Sequence, residues 1–308
     1  MPARKIAMGA ALGILALAIA SELLLRFGLG LGNPILIQAD QACSYIVKPD
    51  QDVVRFFGHA QINHEGMRSA EIPQARDPNA LRVMFVGDSM TYGTSRVDQK
   101  SLFTEIIHRR LPDVVHRPVE VLNASASAWA PDNEWAYVQS RGTFNSDWVV
   151  LVLNSGDLTL SRATMADVGD DLPSKRPATA WQELYTRFIG PRLFHRAPKT
   201  DAGIGARPNA ESVVRGNLAD LEQLYAFVRH SGGQLMIVYL PARGDIPRQS
   251  APSQSILKDW SARHDVKLLD LTSVEAAHPS SQITLDGVHL NRYGHSQVAD
   301  AILKTWPG

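Results

Sequence analysis

Five short apolar runs rich in β-branched residues, Leu81–Val86, Val119–Asn123, Trp148–Leu153, Gln234–Leu240 and Val266–Leu269, recur along the last three quarters of the chain. Helical patterns over Leu102–Leu111, Asn133–Arg141, Glu211–Arg229, Ser253–His264 and Tyr293–Trp306 lie between and after them. A strand that is apolar on both faces must be covered on both, and parallel strands need long crossovers that helices supply. The pattern predicts an α/β protein, a three-layer α/β/α sandwich around a mostly parallel five-stranded sheet. In such sheets ligands bind beyond the carboxyl ends of the strands. The residues that follow each apolar run are therefore where chemistry is sought.

The chain before Leu81 is of another kind. Arg4 and Lys5 precede sixteen residues without charge, Ile6 to Ser21, after which Glu22, three leucines and Arg26 lead into "FGLGLGNP". A basic start before an apolar run marks an export signal or signal anchor, with the basic end on the cytoplasmic side and the remainder outside. Ala18-Ile19-Ala20 fits a cleavage pattern, which would release a secreted protein. The apolar character resumes past Glu22 to near membrane-spanning length, and an uncleaved, single-pass anchor is the favoured reading. The expected organisation is a signal segment over 1–30, an arm or small β element over 31–80, and the main domain over 81–308. Within that domain, 159–209 carries Pro173, Pro177, Pro191, Pro198 and Pro208 and reads as an insertion too long for an ordinary connection, a lid or a mobile segment.

Lys plus Arg and Asp plus Glu both number 31, so no net charge points to nucleic acid. The single cysteine, Cys43, excludes an intramolecular disulfide and any multi-cysteine metal site. His59, His64, His278 and His295 show no metal-ligand spacing, and no Gly-rich phosphate loop implies a nucleotide. No cofactor is expected.

The first strong strand runs into "GDSMTYG", Gly87 to Gly93. A solvated turn with a helix cap would explain Gly, Asp and Ser there. A nucleophilic Ser89 would explain them too, provided a base and oxyanion donors exist elsewhere. "DGVHLNRYGH", immediately before the last helical pattern, supplies Asp286 and His289 three residues apart. In a turn, the carboxylate of Asp286 can hold one ring nitrogen of His289 and leave the other to take the Ser89 proton. An α/β-hydrolase nucleophile elbow is disfavoured, because Thr91 stands where Gly-x-Ser-x-Gly requires glycine. Asp88 and Asn123 read as turn and loop braces. Trp129, Trp135 and Trp181 read as core residues that could otherwise stack on a sugar.

The blocks "GDSMTYG", "NASASAW", "NSGD" and "DGVHLNRYG", in this order, resemble those of the SGNH (GDSL) hydrolases, a superfamily of esterases, thioesterases, lipases and carbohydrate acetyl-ester hydrolases. The resemblance runs from about Leu81 to the end, with 159–209 poorly matched. It implies the flavodoxin-like fold of that superfamily, with Ser89 as nucleophile, Asp286 as acid and His289 as base. The N–H groups of Ser89 and Ala128 would be oxyanion donors, although the family usually has glycine at the second place. In the third block the family's donor asparagine is replaced by Gly156, leaving the Asn154 carboxamide or the Gly156 N–H as substitutes. The implied activity is that of a serine esterase or O-acyltransferase working through an acyl-serine. Its expected partner is a small-molecule or polysaccharide acyl ester, acetyl above all, of the envelope or extracellular space, with envelope proteins as further partners. The alternative is an SGNH-fold binding or assembly protein with little catalysis, an accessory to polysaccharide processing.

Overall fold

The computed structural model describes residues 2–168, 173–193, 210–241 and 252–307. Five strands, β5 (Leu81–Gly87), β6 (Val119–Ser125), β7 (Trp148–Asn154), β8 (Gln234–Leu240) and β9 (Lys267–Asp270), form one sheet in the order β6-β5-β7-β8-β9. Every pairing in it is parallel. This is the doubly wound, flavodoxin-like order, in which the chain reverses direction across the sheet beside the first strand. The sandwich expected from the sequence is present, and its strands begin and end within one or two residues of the apolar runs.

Two apolar layers make the halves of the core. Val83, Phe85, Val150, Val152 and Val238 point to one face and pack on Phe103, Ile107 and Leu111 of the helix Phe103–Val115 and on Val298 and Ile302 of the helix Arg292–Lys304. Met84, Val86, Leu151 and Ile237 point to the other and meet Tyr137 and Val138 of the helix Pro131–Arg141 and Leu221, Leu224 and Val228 of the helix Ala210–His230. Alternation along each strand, with both faces covered, is why these runs are mostly apolar, and the charged pair within them, Arg82 and Glu120, is joined across neighbouring strands at 2.6 Å.

The arm over 31–80 folds into two antiparallel hairpins, β1–β2 (Ile37–Asp40 with Ser44–Val47) and β3–β4 (Gln51–Arg55 with Gly58–Ile62). Ile35, Tyr45, Val47 and Met67 enter the same core layer as Trp129 and Tyr137. Polar bonds reinforce that packing: the Tyr45 hydroxyl donates to the Ser127 carbonyl at 2.6 Å and the Trp129 indole to the Tyr45 carbonyl at 3.1 Å. The arm thus shares one core with the sandwich.

The N-terminal helix, Pro2–Leu23, continues through a wider turn, Leu24–Gly28, and the stretch Arg4–Gly28 is long and apolar enough to cross a membrane. Its end is built into the protein. Of the insertion, residues 169–172 and 194–209 lie outside the described residues; a helical stretch over 180–193 docks beside that end. Arg55 and Glu183, each 2% exposed, form an ion pair at 2.6 Å, and Glu183 also accepts the Gly32 N–H at 2.6 Å and Arg187 at 3.0 Å. Burial acts to raise the Glu183 pKa, but Arg55, the Gly32 N–H and Arg187 outweigh it and hold the carboxyl below its ordinary value of 4.5.

Removing one partner of a buried pair strands the other charge, whereas replacing both by apolar groups does not. Arg55→Met is expected to destabilise the protein by about 3 kcal/mol, and Arg55→Met with Glu183→Leu by much less, in thermal melts of the detergent-solubilised chain. The wild-type advantage should be complete above the ordinary carboxylate pKa and fade as the pH falls through the lower folded value.

Candidate active site

The heptapeptide "GDSMTYG" is shaped by its two glycines. At Gly87 a Cβ would sit 2.3 Å from the Thr91 hydroxyl and 3.0 Å from the Val152 carbonyl, so the strand can turn over its neighbour only without a side chain. Asp88 caps the short helix Ser89–Tyr92 by accepting the Met90 N–H at 2.8 Å. Gly93 ends that helix with φ of 75°, in the left-handed region. Ser89 is thereby fixed at the first helical position, past the carboxyl edge of a central strand.

A residue outside every sequence motif holds this turn from behind. The buried Arg68 guanidinium donates to the carbonyls of Tyr92, Gly93 and Thr94 at 2.9, 2.9 and 2.8 Å and to that of Val97 at 2.6 Å. These include carbonyls that a helix end leaves without partners. Asn123, at the edge of β6, donates to the Thr91 carbonyl at 3.0 Å and the Thr104 hydroxyl at 3.2 Å, which gives the expected brace a definite geometry. No spacing rule points to a lone arginine in an irregular stretch, so Arg68 left no sequence signal.

The loop before the last helix brings His289 to Ser89. The Leu285 N–H donates to the His289 carbonyl at 2.8 Å and closes the loop, while Asp286 accepts the N–H groups of Val288 and His289 at 3.1 and 2.9 Å. The second carboxylate oxygen of Asp286 lies 2.9 Å from His289 Nδ1, and His289 Nε2 lies 3.2 Å from Ser89 Oγ. Partial burial acts to raise the Asp286 pKa; the bonds from the His289 ring and from the two N–H groups outweigh it and hold the carboxyl below its ordinary value. An ionised Asp286 fixes the His289 tautomer with Nδ1 protonated and Nε2 free to accept. Ser89, His289 and Asp286 therefore stand in the relay that nucleophilic acyl transfer uses.

The expected oxyanion donors fall differently. Ala128, three residues past the β6 edge, has φ of 64°, a conformation that suits glycine and explains why the family places one there. Among the described residues its buried N–H has no acceptor. In the third block, Asn154 donates to Asp88 at 2.8 Å and to Asp157 at 2.7 Å, and its oxygen accepts the Gly156 N–H at 2.7 Å. Both proposed substitutes are thus engaged with neighbours in this state. On the helix Pro131–Arg141, Glu134 is fully buried, neither oxygen finds a hydrogen-bond partner among the described residues, and burial, then the nearby Asp88, push its pKa well up.

The remaining candidates are placed as follows. Trp129 is core, Trp135 packs on Phe227, and Trp181 is half exposed, its indole donating to Ser21 at 3.0 Å. His295 is buried against Phe103, accepts the Phe103 N–H, and is held neutral by burial and by Arg68, its pKa lowered to about 3. Among the described residues no group of three or more His, Cys, Asp or Glu could hold a metal ion.

Strand order, Ser89 after the first parallel strand of the sheet and the Asp-x-x-His loop before the last helix stand together as the resemblance to the SGNH (GDSL) hydrolases leads one to expect. No protein-family model matches the chain, and no curated protein matches it. Among solved structures, the chain is similar to a two-domain esterase active on acetylated mannans, with 12% identity and a TM-score of 0.47 over 73% of this chain and 48% of that one, so it spans about half of that protein. It is also similar to a lipolytic G-D-S-L family protein from Veillonella parvula (14% identity, TM-score 0.46, 73% of this chain and 98% of that one). A third likeness is to the acetylxylan esterase Axe2 of Geobacillus stearothermophilus (15% identity, TM-score 0.46, 73% and 93%). At these values the likenesses say nothing of what this chain acts on.

An L-residue in the left-handed region costs about 1 kcal/mol that glycine avoids. Ala128→Gly keeps the N–H and is expected to raise the melting temperature with esterase activity retained; a lowered melting temperature would contradict the strain described here.

Proposed function

We propose that the chain is a membrane-anchored serine esterase or O-acyltransferase of the SGNH type, acting outside the cytoplasm on acyl, principally acetyl, esters of a saccharide. The observation that carries this reading is the hydrogen-bonded series Ser89, His289, Asp286 at the carboxyl edge of the sheet, at 3.2 and 2.9 Å. Ser89 Oγ attacks the ester carbonyl and passes its proton to His289 Nε2, while Asp286 stabilises the imidazolium. The Ser89 and Ala128 N–H groups are proposed to hold the oxyanion. Collapse expels the alcohol, which takes the proton back from His289 and leaves an acyl-serine. Water then completes hydrolysis; a sugar hydroxyl in its place completes transfer.

The substrate class is supported by the cleft beside the triad loop. It encloses about 520 Å³ and is lined by Phe57, Tyr293, Asn291 and Leu285 together with Arg96, Lys100 and Arg292. Leu285 directly precedes Asp286 in the chain, while Ser89, Asp286 and His289 themselves do not line the cleft. Rings that combine an apolar face with polar neighbours suit a saccharide, whereas a lipase or thioesterase reading calls for a broad apolar groove. Export follows from Arg4 and Lys5 at the start of the apolar helix.

A second reading, an SGNH-fold binding protein with little catalysis, is favoured by one observation, the engagement of Asn154 and Gly156 with their neighbours. Loss of a side-chain oxyanion donor costs about 3 kcal/mol of transition-state stabilisation. Intact mass after exposure to a serine-reactive phosphonate separates the two. The esterase reading expects one adduct, absent in Ser89→Ala and formed at least about a hundredfold more slowly in His289→Ala; no adduct on folded protein supports the binding reading. If the cleft seats the saccharide, Tyr293→Ala should raise KM for an acetylated oligosaccharide more than it lowers kcat in steady-state assays.

A further inference from the structure

The helical stretch over 180–193 exposes an apolar stripe at four-residue spacing. Trp181 is 45% exposed, Tyr185 50%, Ile189 37% and Leu193 63%. A soluble surface scatters such residues singly, and a run of four along one helical stretch calls for a cover. The other side of the stretch is anchored in protein by Glu183 and its partners Arg55 and Gly32.

What covers the stripe is indicated by where the stretch begins. Its first N–H groups, those of Ala180 and Trp181, donate to the carboxylate of Glu22 at 2.8 and 3.2 Å, and Glu22 is also held by Arg26 at 2.8 Å. A residue near the end of the apolar N-terminal helix thus caps the second helix from outside it. The Trp181 indole donates to the Ser21 hydroxyl at 3.0 Å. Sixteen uncharged residues, Ile6 to Ser21, span roughly 24 Å of a hydrocarbon core about 30 Å thick. Trp181 therefore lies at the depth where the core gives way to headgroups, which is where Trp and Tyr concentrate. Leu24 and Phe27, on the adjoining turn, are 69% and 79% exposed and continue the apolar surface outward.

We infer that 180–193 is an interfacial helix, lying in the outer headgroup boundary of the membrane that the N-terminal helix crosses, with Trp181, Tyr185, Ile189 and Leu193 against the lipid. The inference rests on the anchor reading of the N-terminal helix. An amphipathic helix of this kind binds through its apolar face without spanning. Joined to the anchor by Glu22 and to the sandwich by Glu183, it fixes the catalytic domain at a set attitude to the bilayer, and a tethered domain becomes a seated one.

The test uses the full-length chain in phosphatidylcholine vesicles, plain or with acyl chains brominated near the headgroup, since bromine quenches only tryptophan in contact with lipid. Incorporation is checked first by resistance to alkaline carbonate. Emission of the native chain should be lower in brominated vesicles, by no more than the share of one tryptophan among six. That difference should vanish in Trp181→Phe and shrink in Tyr185→Glu. Equal emission in both vesicles from a carbonate-resistant chain, or a difference that survives Trp181→Phe, overturns the interfacial helix and leaves the anchor standing. Equal emission with cross-linked pairs gives the stripe to a second copy, which overturns it likewise. Release by carbonate overturns the anchor reading and this inference with it.

Discussion

The site depends on one tight turn. Gly87 must pass under the Thr91 hydroxyl and over the Val152 carbonyl, leaving no room for a side chain, and the chain then enters a helix of a single turn. So short a helix has no propensity of its own to rely on. It persists because Asp88 caps it at one end and the Arg68 guanidinium gathers four carbonyls at and beyond the other. Burying a guanidinium is costly unless its donors are used, and here burial lowers the Arg68 pKa. The arm that carries Arg68 is consequently part of the site's foundation, although it contributes no reacting group.

That dependence explains what could be read in the sequence and what could not. The five strands were legible because burial on both faces writes a mostly apolar run, and Asp286 and His289 were legible because an Asp-x-x-His loop places both groups within reach of one another. Gly87, Ser89 and Gly93 stood out for the same local reason. Arg68 and the Arg55–Glu183 pair did not, since they join residues 24 to 128 positions apart and no periodicity records such a contact. The insertion was legible only as irregular: its prolines break the rhythm, but its docking on the N-terminal helix is made through single bonds from Glu22, Ser21 and Gly32.

The third block shows how a departure from a family pattern is absorbed. With Gly156 where a donor asparagine is usual, Asn154 joins Asp88 of the first block to Asp157 of the third. Two buried carboxylates so placed would repel, and the carboxamide between them gives each a donor. Burial and the nearby Asp88 push the Glu134 pKa well up, which opposes a further negative charge beside them. Asn154, one of the two candidate replacement donors, is thus a strut between the blocks. The backbone N–H groups of Ser89 and Ala128 then become the donors on which oxyanion stabilisation would rest.

The same economy of contacts governs how the end of the N-terminal helix meets the rest of the fold. A helix that merely tethers needs a flexible connection, yet residues 21 to 32 are bonded to two separate parts of the fold, through Ser21, Glu22 and Gly32 to the helix 180–183 and through Leu29 to Phe56. Gly30 shows how close this packing is: at φ of 71°, its missing Cβ would fall 2.3 Å from the Val54 carbonyl, on the strand leading to Phe56 and Phe57. Phe56 donates its N–H to the Leu29 carbonyl and stacks edge-on against Phe188. Since Phe56 and Phe57 also line the cleft that Leu285 and Tyr293 border, the wall of that cleft and the end of the N-terminal helix share contacts. If the N-terminal helix is the anchor proposed above, its orientation sets the direction from which a substrate can reach this cleft, and a polymer lying along the bilayer surface and one arriving from bulk solvent would not be equivalent.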